Sequence, residues 1–390
     1  MDIRQLDKTF VAGTYARFPL AVTGGKGTLV WDDGGKEYID LTSGIAVNTF
    51  GIADDEWIRA VTEQIGKVQH ISNLYYTAPD ALLAEALCRR TGMKKVFFSN
   101  SGAEANECAV KTARKYAADK KGKEYFTVIT LQNSFHGRTI TTLAATGQDV
   151  FHRDFTPLTE GFVHAAPNDT EDLRKKIAEN KCAAIMMEVV QGEGGVAALD
   201  KTYVREVAAL AEKEDILLIC DEVQCGNGRT GKLYGYMHYD ITPDIVTTAK
   251  GLGGGLPIGA TMFGEKTKDV LGAGDHGSTF GGNPVCCAAA KSVLDRLDDT
   301  MLTEVTEKAA FIRAELENAP GVRSVSGLGL MIGIEPEKDA GEVISRCLEN
   351  GVMVLKAKNK VRLLPPLNIP LPLLVKAVGV LKEALAPERT

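Results

Sequence analysis

Two polar residues stand at or just beyond the ends of short runs that are typical of buried parallel strands. The run Ile216-Leu-Leu-Ile-Cys220 ends at Asp221, and the run Asp244-Ile-Val-Thr-Thr248 is followed by Lys250. Both runs have the length and the aliphatic or β-branched content of such strands. Ligands of open α/β sheets bind at the carboxyl edge of the strands, so both side chains are candidates for chemistry on one ligand.

The chemistry open to this pair is imine formation and charge pairing. A lysine can form a Schiff base and an aspartate can hold a pyridinium nitrogen, and these are the two protein groups that pyridoxal phosphate chemistry requires. Structural explanations stay open from the local sequence. Asp221 could cap a helix after its strand, and Lys250 precedes a glycine-rich run and could be a flexible surface lysine.

Other polar segments follow predicted strands in the same way. In residues 100–107, Ser101 and Glu104 have capping-box spacing, and Gly102 permits close approach of a ligand to the backbone. The start of such a helix can bind an anion, although an ordinary capped helix would have the same local sequence. The segment Ser278-Thr-Phe-Gly-Gly-Asn-Pro284 is either a second anion loop or a turn before a helix.

The segment Phe135-His-Gly-Arg-Thr139 lies just after another predicted strand. Phe135 could stack on a cofactor ring, and Arg138 could bind a carboxylate with two parallel hydrogen bonds. A single Phe is more often a core residue and a single Arg is usually solvated, so this interpretation depends on the position of the segment. Two nucleotide-like patterns are rejected. Glu193 in residues 192–197 would repel a pyrophosphate, and Leu233 replaces the Ser or Thr of a P-loop.

The composition is that of an ordinary globular protein, with 44% hydrophobic and 25% charged residues among 390. The net charge of -6 gives no reason to expect nucleic acid or an anionic membrane as a partner. The eight cysteines and six histidines lack metal-site spacing, so no metal is expected, and the cysteines are interpreted as thiols in a reducing cytosol. The start lacks the apolar core of a signal peptide and no run is long enough for a membrane span, so a soluble cytoplasmic protein is expected.

The order of the predicted elements favours an α/β fold in two parts. Strands are expected at 96–98, 126–130, 183–190, 216–220, 245–248 and 258–263, with a hairpin at 28–41 and helices at 104–119 and 202–214. This alternation implies a mostly parallel sheet flanked by helices. A long helix starts near Pro284, and a strand at 329–334 with helices at 340–350 and 373–385 suggests a smaller α+β domain.

Read together, these segments resemble the class III aminotransferases, which depend on pyridoxal 5'-phosphate. The resemblance covers nearly the whole chain and keeps the order of six motifs, which begin at Ser101, Phe135, Gln191, Asp221, Lys250 and Ser278. It implies an aspartate-aminotransferase-like fold with an N-terminal segment at 1–50, a large cofactor-binding domain at 51–283 and a small domain at 284–390. Within the class, residues 70–77 and 37–46 are most similar to the enzymes that act on N2-acetylornithine.

The resemblance also implies a role for each site residue. Lys250 would form the Schiff base and carry the proton, and Asp221 would keep the pyridine nitrogen protonated. Phe135 and Val223 would contact the ring and Gln224 its phenolic oxygen. The phosphate would be bound by Ser101, Gly102 and Ala103, with Thr279 reaching it from the neighbouring subunit of a homodimer. The substrate would contact Arg138, Ser278, Arg362 and Glu193, the last pairing with Arg362 when a terminal amine occupies the site.

The function that the resemblance implies is transfer of the terminal amino group of N2-acetylornithine to 2-oxoglutarate, in arginine biosynthesis. Succinyldiaminopimelate, ornithine or 4-aminobutyrate remain alternative amine substrates. A 2,1-aminomutase acting on glutamate 1-semialdehyde is an alternative of another reaction class, and it would need no 2-oxoglutarate. A non-enzymatic homologue is disfavoured because Lys250, Asp221 and both arginines are present.

Overall fold

A seven-stranded mixed sheet forms the centre of the protein in a computed structural model, which describes residues 2–387. Its order is Lys95–Ser99, Gly259–Phe263, Ile245–Thr248, Leu217–Asp221, Cys182–Met187, Thr127–Leu131 and Phe162–Ala165. Gly259–Phe263 runs antiparallel to both of its neighbours, and the other pairings are parallel. The prediction of a mostly parallel sheet is confirmed.

Helices cover both faces of this sheet, which explains why its central strands are buried throughout rather than on alternate residues. Every residue of Cys182–Met187 and Leu217–Asp221 is buried. The longest helix, Gly102–Lys121, packs its alanine-rich face on the strands that surround the two predicted catalytic residues. Other helices of this region are Asp55–Ile65, Ala78–Thr91, Ile140–Ala145, Thr170–Glu179, Lys201–Lys213 and Pro284–Asp295. None of the helices within residues 2–387 has both the length and the apolar composition needed to cross a bilayer.

Of two smaller four-stranded sheets, one joins the two ends of the chain. The predicted N-terminal hairpin is present, and its strands Val22–Lys26, Leu29–Asp32 and Glu37–Asp40 continue into the C-terminal strand Val352–Met353. The other sheet consists of Val322–Leu328, Met331–Pro336, Lys360–Leu363 and Leu355–Ala357. The C-terminal part also contains the helices Asp299–Leu316, Ala340–Glu349 and Leu371–Leu385, and the chain starts with a separate helix at Ile3–Phe10.

A helix starts at Pro284 as expected, but it is shorter than expected. The structure has two helices, Pro284–Asp295 and Asp299–Leu316, and the Asp298 side chain starts the second by accepting a hydrogen bond from the Met301 N–H at 2.9 Å. The first helix packs against Asp55–Ile65 and Ala78–Thr91 rather than against the C-terminal sheet. The division at 50 and 283 stays a prediction, and we propose that its second boundary lies between these two helices.

The strand predicted at 183–190 is also shorter than expected. Its strand in the central sheet ends at Met187, and Val190–Gln191 pairs instead with Ala197–Ala198 in a separate two-stranded ribbon. This break turns the chain, and Glu193 lies in the turn of the ribbon. The position of Glu193 therefore depends on a turn that could not be recognised in the mostly apolar sequence of residues 183–190.

Candidate active site

A cavity of about 460 Å³ lies at the carboxyl ends of the central strands. Among the residues that line it are nine of the predicted site residues: Ser101, Gly102, Ala103, Phe135, Arg138, Asp221, Val223, Gln224 and Lys250. Segments far apart in sequence meet here because the parallel strands all end at this edge of the sheet. Within residues 2–387, no group of three His, Cys, Asp or Glu side chains could hold a metal ion.

Lys250 is held in an uncommon backbone conformation at one side of the cavity. Its φ of 45° is positive, and a short 3₁₀ turn at Lys250–Leu252 begins there. The buried Asn227 side chain donates to the Thr248 hydroxyl at 2.9 Å and to the Ala249 carbonyl at 3.2 Å, which fixes the chain just before the lysine. Burial lowers the pKa of the Lys250 amine. A larger share of that amine is therefore unprotonated and nucleophilic.

Asp221 is the centre of a buried hydrogen-bond network. Its Oδ2 accepts from Asn106 Nδ2 and from His136 Nδ1, both at 2.8 Å, and its Oδ1 accepts from the Val223 N–H at 3.0 Å. Thr247 orients the Asn106 amide by donating to its oxygen at 2.7 Å. Donors on both oxygens stabilise the charged carboxylate. No helix begins after Asp221, so the helix-cap interpretation of this residue is wrong.

The tautomer of His136 follows from this geometry. Its Nδ1 faces an acceptor that has no proton to give, so Nδ1 carries the hydrogen. Its Nε2 is buried without a hydrogen-bond partner in the described part of the chain. A second proton on Nε2 would therefore be an unsatisfied buried donor. His136 therefore orients the Asp221 carboxylate through its Nδ1–H.

A second carboxyl group, that of Glu188, lines the same cavity as Asp221. Burial raises its pKa well above the ordinary value, and the charge of Asp221 adds to that shift. Its Oε1 accepts a hydrogen bond from the Phe135 N–H at 2.8 Å, which fixes the backbone of the ring-bearing residue. Burial therefore favours the neutral form of Glu188.

The opposite end of the cavity is the start of the helix Gly102–Lys121. The Ser101 hydroxyl accepts from the Glu104 N–H at 3.2 Å, while Glu104 accepts from the Asn100 N–H at 2.8 Å. A Cβ on Gly102 would lie 2.7 Å from the Val223 side chain, so only glycine fits there. The predicted cap is present, and the free N–H groups of this helix start still favour an anion.

The two predicted carboxylate-binding arginines differ in their surroundings. Arg362 is buried, and its Nη1 donates to Glu193 Oε1 at 2.6 Å and to Gln224 Oε1 at 3.1 Å. Its Nε is buried without a hydrogen-bond partner in the described residues. Burial favours the neutral form of Glu193, but Arg362 outweighs this effect and lowers the pKa of Glu193 below its ordinary value. Arg138 is exposed at the cavity wall.

Neither Ser278 nor Thr279 is among the described residues that line this cavity. The Ser278 hydroxyl accepts from Asn100 Nδ2 at 3.1 Å, and Asn100 lines the cavity. Thr279 is exposed and lines a separate groove that also includes His70, Tyr75 and Asp80. A single chain therefore does not bring Thr279 to the lysine, which leaves open the predicted contact across a subunit boundary.

Comparison with known proteins gives the family. The aminotransferase class-III family matches residues 10–385. The chain is a class III aminotransferase. It is 53% identical over 387 residues to the acetylornithine aminotransferase of Haemophilus ducreyi, with 99% of this chain and 98% of that protein covered. It is 42% identical over 379 residues to the acetylornithine aminotransferase of Aquifex aeolicus, which covers 97% of this chain and 100% of that protein.

Solved structures agree with this assignment. The ornithine aminotransferase of Toxoplasma gondii superposes with a TM-score of 0.94 and 31% identity, over 98% of this chain and 94% of that one. The N-acetylornithine aminotransferase of Stenotrophomonas maltophilia superposes with a TM-score of 0.85 and 33% identity, over 97% of both chains. The predicted fold and family are confirmed.

Class III aminotransferases use pyridoxal phosphate to move an amino group between an amine donor and a keto acid, and the cavity fits that cofactor. The helix start at Gly102, which lines the cavity, offers free N–H groups for a phosphate. Asp221 offers a charged carboxylate for a protonated ring nitrogen, and Lys250 offers an amine of lowered pKa for an aldehyde. The donor groups match the three polar features of the cofactor.

Several contributors to the site were missed from the sequence. Asn106 and His136 lie inside the motifs at 100–107 and 135–139, but their common partner Asp221 is far away in the chain. Thr247 was counted only as a strand residue. Phe151 was assigned no role, although its ring contacts both Phe135 and Arg138. Polar residues inside a predicted catalytic motif were the one available indication for Asn106 and His136.

Proposed function

We propose that this class III aminotransferase transfers the terminal amino group of N2-acetylornithine to 2-oxoglutarate, giving N-acetylglutamate 5-semialdehyde and glutamate, as a step of arginine biosynthesis in the cytoplasm. The observation that carries the proposal is the Glu193–Arg362 ion pair, with Nη1 and Oε1 2.6 Å apart. Both charges act on Lys250: Glu193 raises the pKa of its amine and Arg362 lowers it, while burial is the largest effect and lowers it. The names of the relatives in Haemophilus ducreyi and Aquifex aeolicus support the choice of substrate. All eight cysteines are unpaired, which fits a reducing compartment.

The pair solves a problem that two unlike substrates create. Glutamate carries a carboxylate next to its reacting amine, whereas N2-acetylornithine has only methylenes at that position. A buried arginine without a partner would oppose the second substrate. Glu193 neutralises Arg362 while the terminal amine reacts, and its side chain, 29% exposed, has room to swing aside for glutamate. Arg138 binds the distal carboxylate that both substrates have.

The remaining residues handle the cofactor and the proton. Pyridoxal phosphate, when bound, supplies the aldehyde that accepts the amino group. It also supplies the ring that withdraws electrons from the carbon next to that group when this carbon loses its proton. Asp221 holds a proton on the ring nitrogen, Phe135 and Val223 contact the ring, and Gln224 contacts its phenolic oxygen. Lys250 removes the proton from the carbon that carries the reacting amine. The phosphate binds Ser101, Gly102 and Ala103, and Ser278 belongs to the substrate pocket.

We also propose a homodimer in which Thr279 completes the phosphate site of the partner. The groove beside Thr279 is bordered by exposed apolar side chains, among them Leu74, Tyr75, Tyr76 and Phe280. Exposed apolar patches of this kind are typical of association surfaces. Sedimentation of the purified protein tests the oligomeric state. A Thr279→Ala variant that binds the cofactor as tightly as the wild type would contradict the shared site.

One experiment tests the substrate directly. The purified enzyme is supplied with 2-oxoglutarate and, separately, with N2-acetylornithine, ornithine, succinyldiaminopimelate or 4-aminobutyrate, and glutamate formation is measured. We expect the highest kcat/KM with N2-acetylornithine. A higher value with another amine would reassign the substrate. If the enzyme turned over glutamate 1-semialdehyde without any keto acid, its reaction would be reassigned from amino-group transfer to the mutase reaction.

A further inference from the structure

Arg138 is held by aromatic rings rather than by carboxylates. Its guanidinium carbon lies 4.6 Å from the centre of the Phe151 ring and 5.8 Å from that of Phe135. The two rings meet edge to face, with centres 5.8 Å apart and an angle of 76° between their planes. Arg138 has no hydrogen bond or ion pair with other residues in the described range 2–387. Its charge is therefore available to a ligand, and the rings are what restrain it.

Phe151 is fixed in place from both ends of a short turn. It ends a 3₁₀ turn at Asp149–Phe151, in which its N–H donates to the Gln148 carbonyl at 3.0 Å. The Gln148 amide donates to the Ser134 carbonyl at 3.0 Å, next to Phe135. On the other side, His152 Nε2 contacts the Leu143 carbonyl at 2.9 Å. These bonds hold the backbone turn that carries the Phe151 ring.

We propose that Phe151 is a positioning residue for substrate recognition: its ring holds the Arg138 guanidinium in the orientation that receives the distal carboxylate of both substrates. The proposal rests on the function proposed above, because it requires Arg138 to bind that carboxylate. A solvated arginine has many rotamers, and fixing them on binding reduces affinity. A ring beneath the guanidinium removes that freedom in advance and adds an attraction to the cation.

The arrangement also links two recognition tasks. Phe135, which we propose to contact the cofactor ring, meets the same Phe151 ring that restrains Arg138. A displaced Phe151 would release the arginine while Glu188 still holds the Phe135 backbone. Substrate affinity should therefore suffer more than the chemical step. Because both substrates carry the distal carboxylate, both half-reactions should be affected alike.

The test compares ring substitutions at two phenylalanines of the same loop. In the holoenzyme, Phe151→Leu should raise the Kd of glutarate, an unreactive five-carbon dicarboxylate, by about twofold to tenfold, the range of a lost cation–π contact. KM for 2-oxoglutarate should rise similarly while kcat is kept, and Phe151→Tyr should restore both values. Phe155, exposed and without a ring contact to Arg138, provides the matched control Phe155→Leu, which should leave the Kd unchanged.

Replacing Phe151 by its mono-, di- and trifluorinated forms separates ring electrostatics from packing. Fluorine weakens the negative face of the ring with little change in shape, so the Kd of glutarate should rise stepwise. A flat fluorination series, or equal effects of Phe151→Leu and Phe155→Leu, would overturn the proposal. Arg138→Ala separates the role of Arg138 from that of Phe151. Unchanged glutarate binding in Arg138→Ala would refute carboxylate binding by Arg138. Weakened binding in Arg138→Ala together with unchanged binding in Phe151→Leu would refute only the positioning role of Phe151.

Discussion

Replacing Glu193 by alanine should separate the two half-reactions of the enzyme. In the wild type, Arg362 is 3% exposed and its Nη1 lies 2.6 Å from Glu193 Oε1. Gln224, at 3.1 Å, is the remaining partner in the variant, and the Arg362 Nε is already buried without a partner. Water can hydrate the guanidinium in the empty site of the variant. The methylenes of a terminal-amine substrate would exclude that water, so the cost of an unpaired charge falls on this complex.

The size of the effect follows from the burial of the pair. Breaking a fully buried ion pair costs about 3–5 kcal/mol. Glu193 is 29% exposed, so some water remains beside Arg362, and about 1.5–3 kcal/mol is the better range for losing a hydrogen bond to a charged group. That free energy corresponds to a loss of about 10- to 150-fold in kcat/KM for N2-acetylornithine. Glutamate brings its own carboxylate to Arg362, so its half-reaction should be unchanged or faster.

The assay follows the cofactor absorbance after rapid mixing with each substrate alone. Glu193→Gln is the matched control, since it keeps the shape and a hydrogen-bond acceptor but lacks the charge, and it should show an intermediate loss. Arg362→Ala should reverse the pattern by impairing the glutamate half-reaction most, and Arg138→Ala should impair both. Equal losses in both half-reactions for Glu193→Ala would refute the removable counter-ion.

Three further predictions concern Lys250, Asp221 and His164. Lys250→Ala should abolish transamination in a folded protein that still binds the cofactor; more than about one per cent of wild-type turnover would exclude the Schiff-base role. Asp221→Asn should slow proton removal by several orders of magnitude in single turnovers, and nearly unchanged rates would leave Asp221 a structural residue. Burial, with His152 and His136, lowers the pKa of His164 from 6.5 to about 4. The unfolded chain therefore binds its proton first, and the free energy of unfolding should fall by up to ~3 kcal/mol between pH 6.5 and 4 in urea titrations, a fall reduced in His164→Asn.

The central sheet and its catalytic edge could be predicted because they depend on local patterns. Continuous apolar runs indicate strands that are buried on both faces, and the residue after each run then lies at the ligand-binding edge. Asp221 and Lys250 meet both conditions, and so does the segment that carries Phe135. The strands of the small sheets were less visible, because two or three residues such as Val352–Met353 are too short to show a period.

Contacts between distant segments could not be predicted in the same way. The Asp221 network joins Asn106, His136 and Thr247, and only the fold brings these residues together. The helix from Pro284 was expected to be longer because apolar residues continue across its end. Polar residues end the first helix. The Asp298 carboxylate caps the start of a new helix, and the Arg296 guanidinium forms an ion pair with Asp54 at 2.9 Å.

The two arginines illustrate why charge alone does not define a recognition site. Arg362 is buried, so a substrate that excludes water without bringing a carboxylate leaves its charge unpaired unless the protein supplies a carboxylate. Arg138 is exposed, and water can solvate it when no ligand is bound, so a ring that orients it is sufficient. A buried cation with an internal counter-ion can discriminate between the presence and absence of a substrate carboxylate. An exposed, oriented cation can bind a carboxylate that is common to both substrates, and the two proposed substrates of this enzyme call for one arginine of each kind.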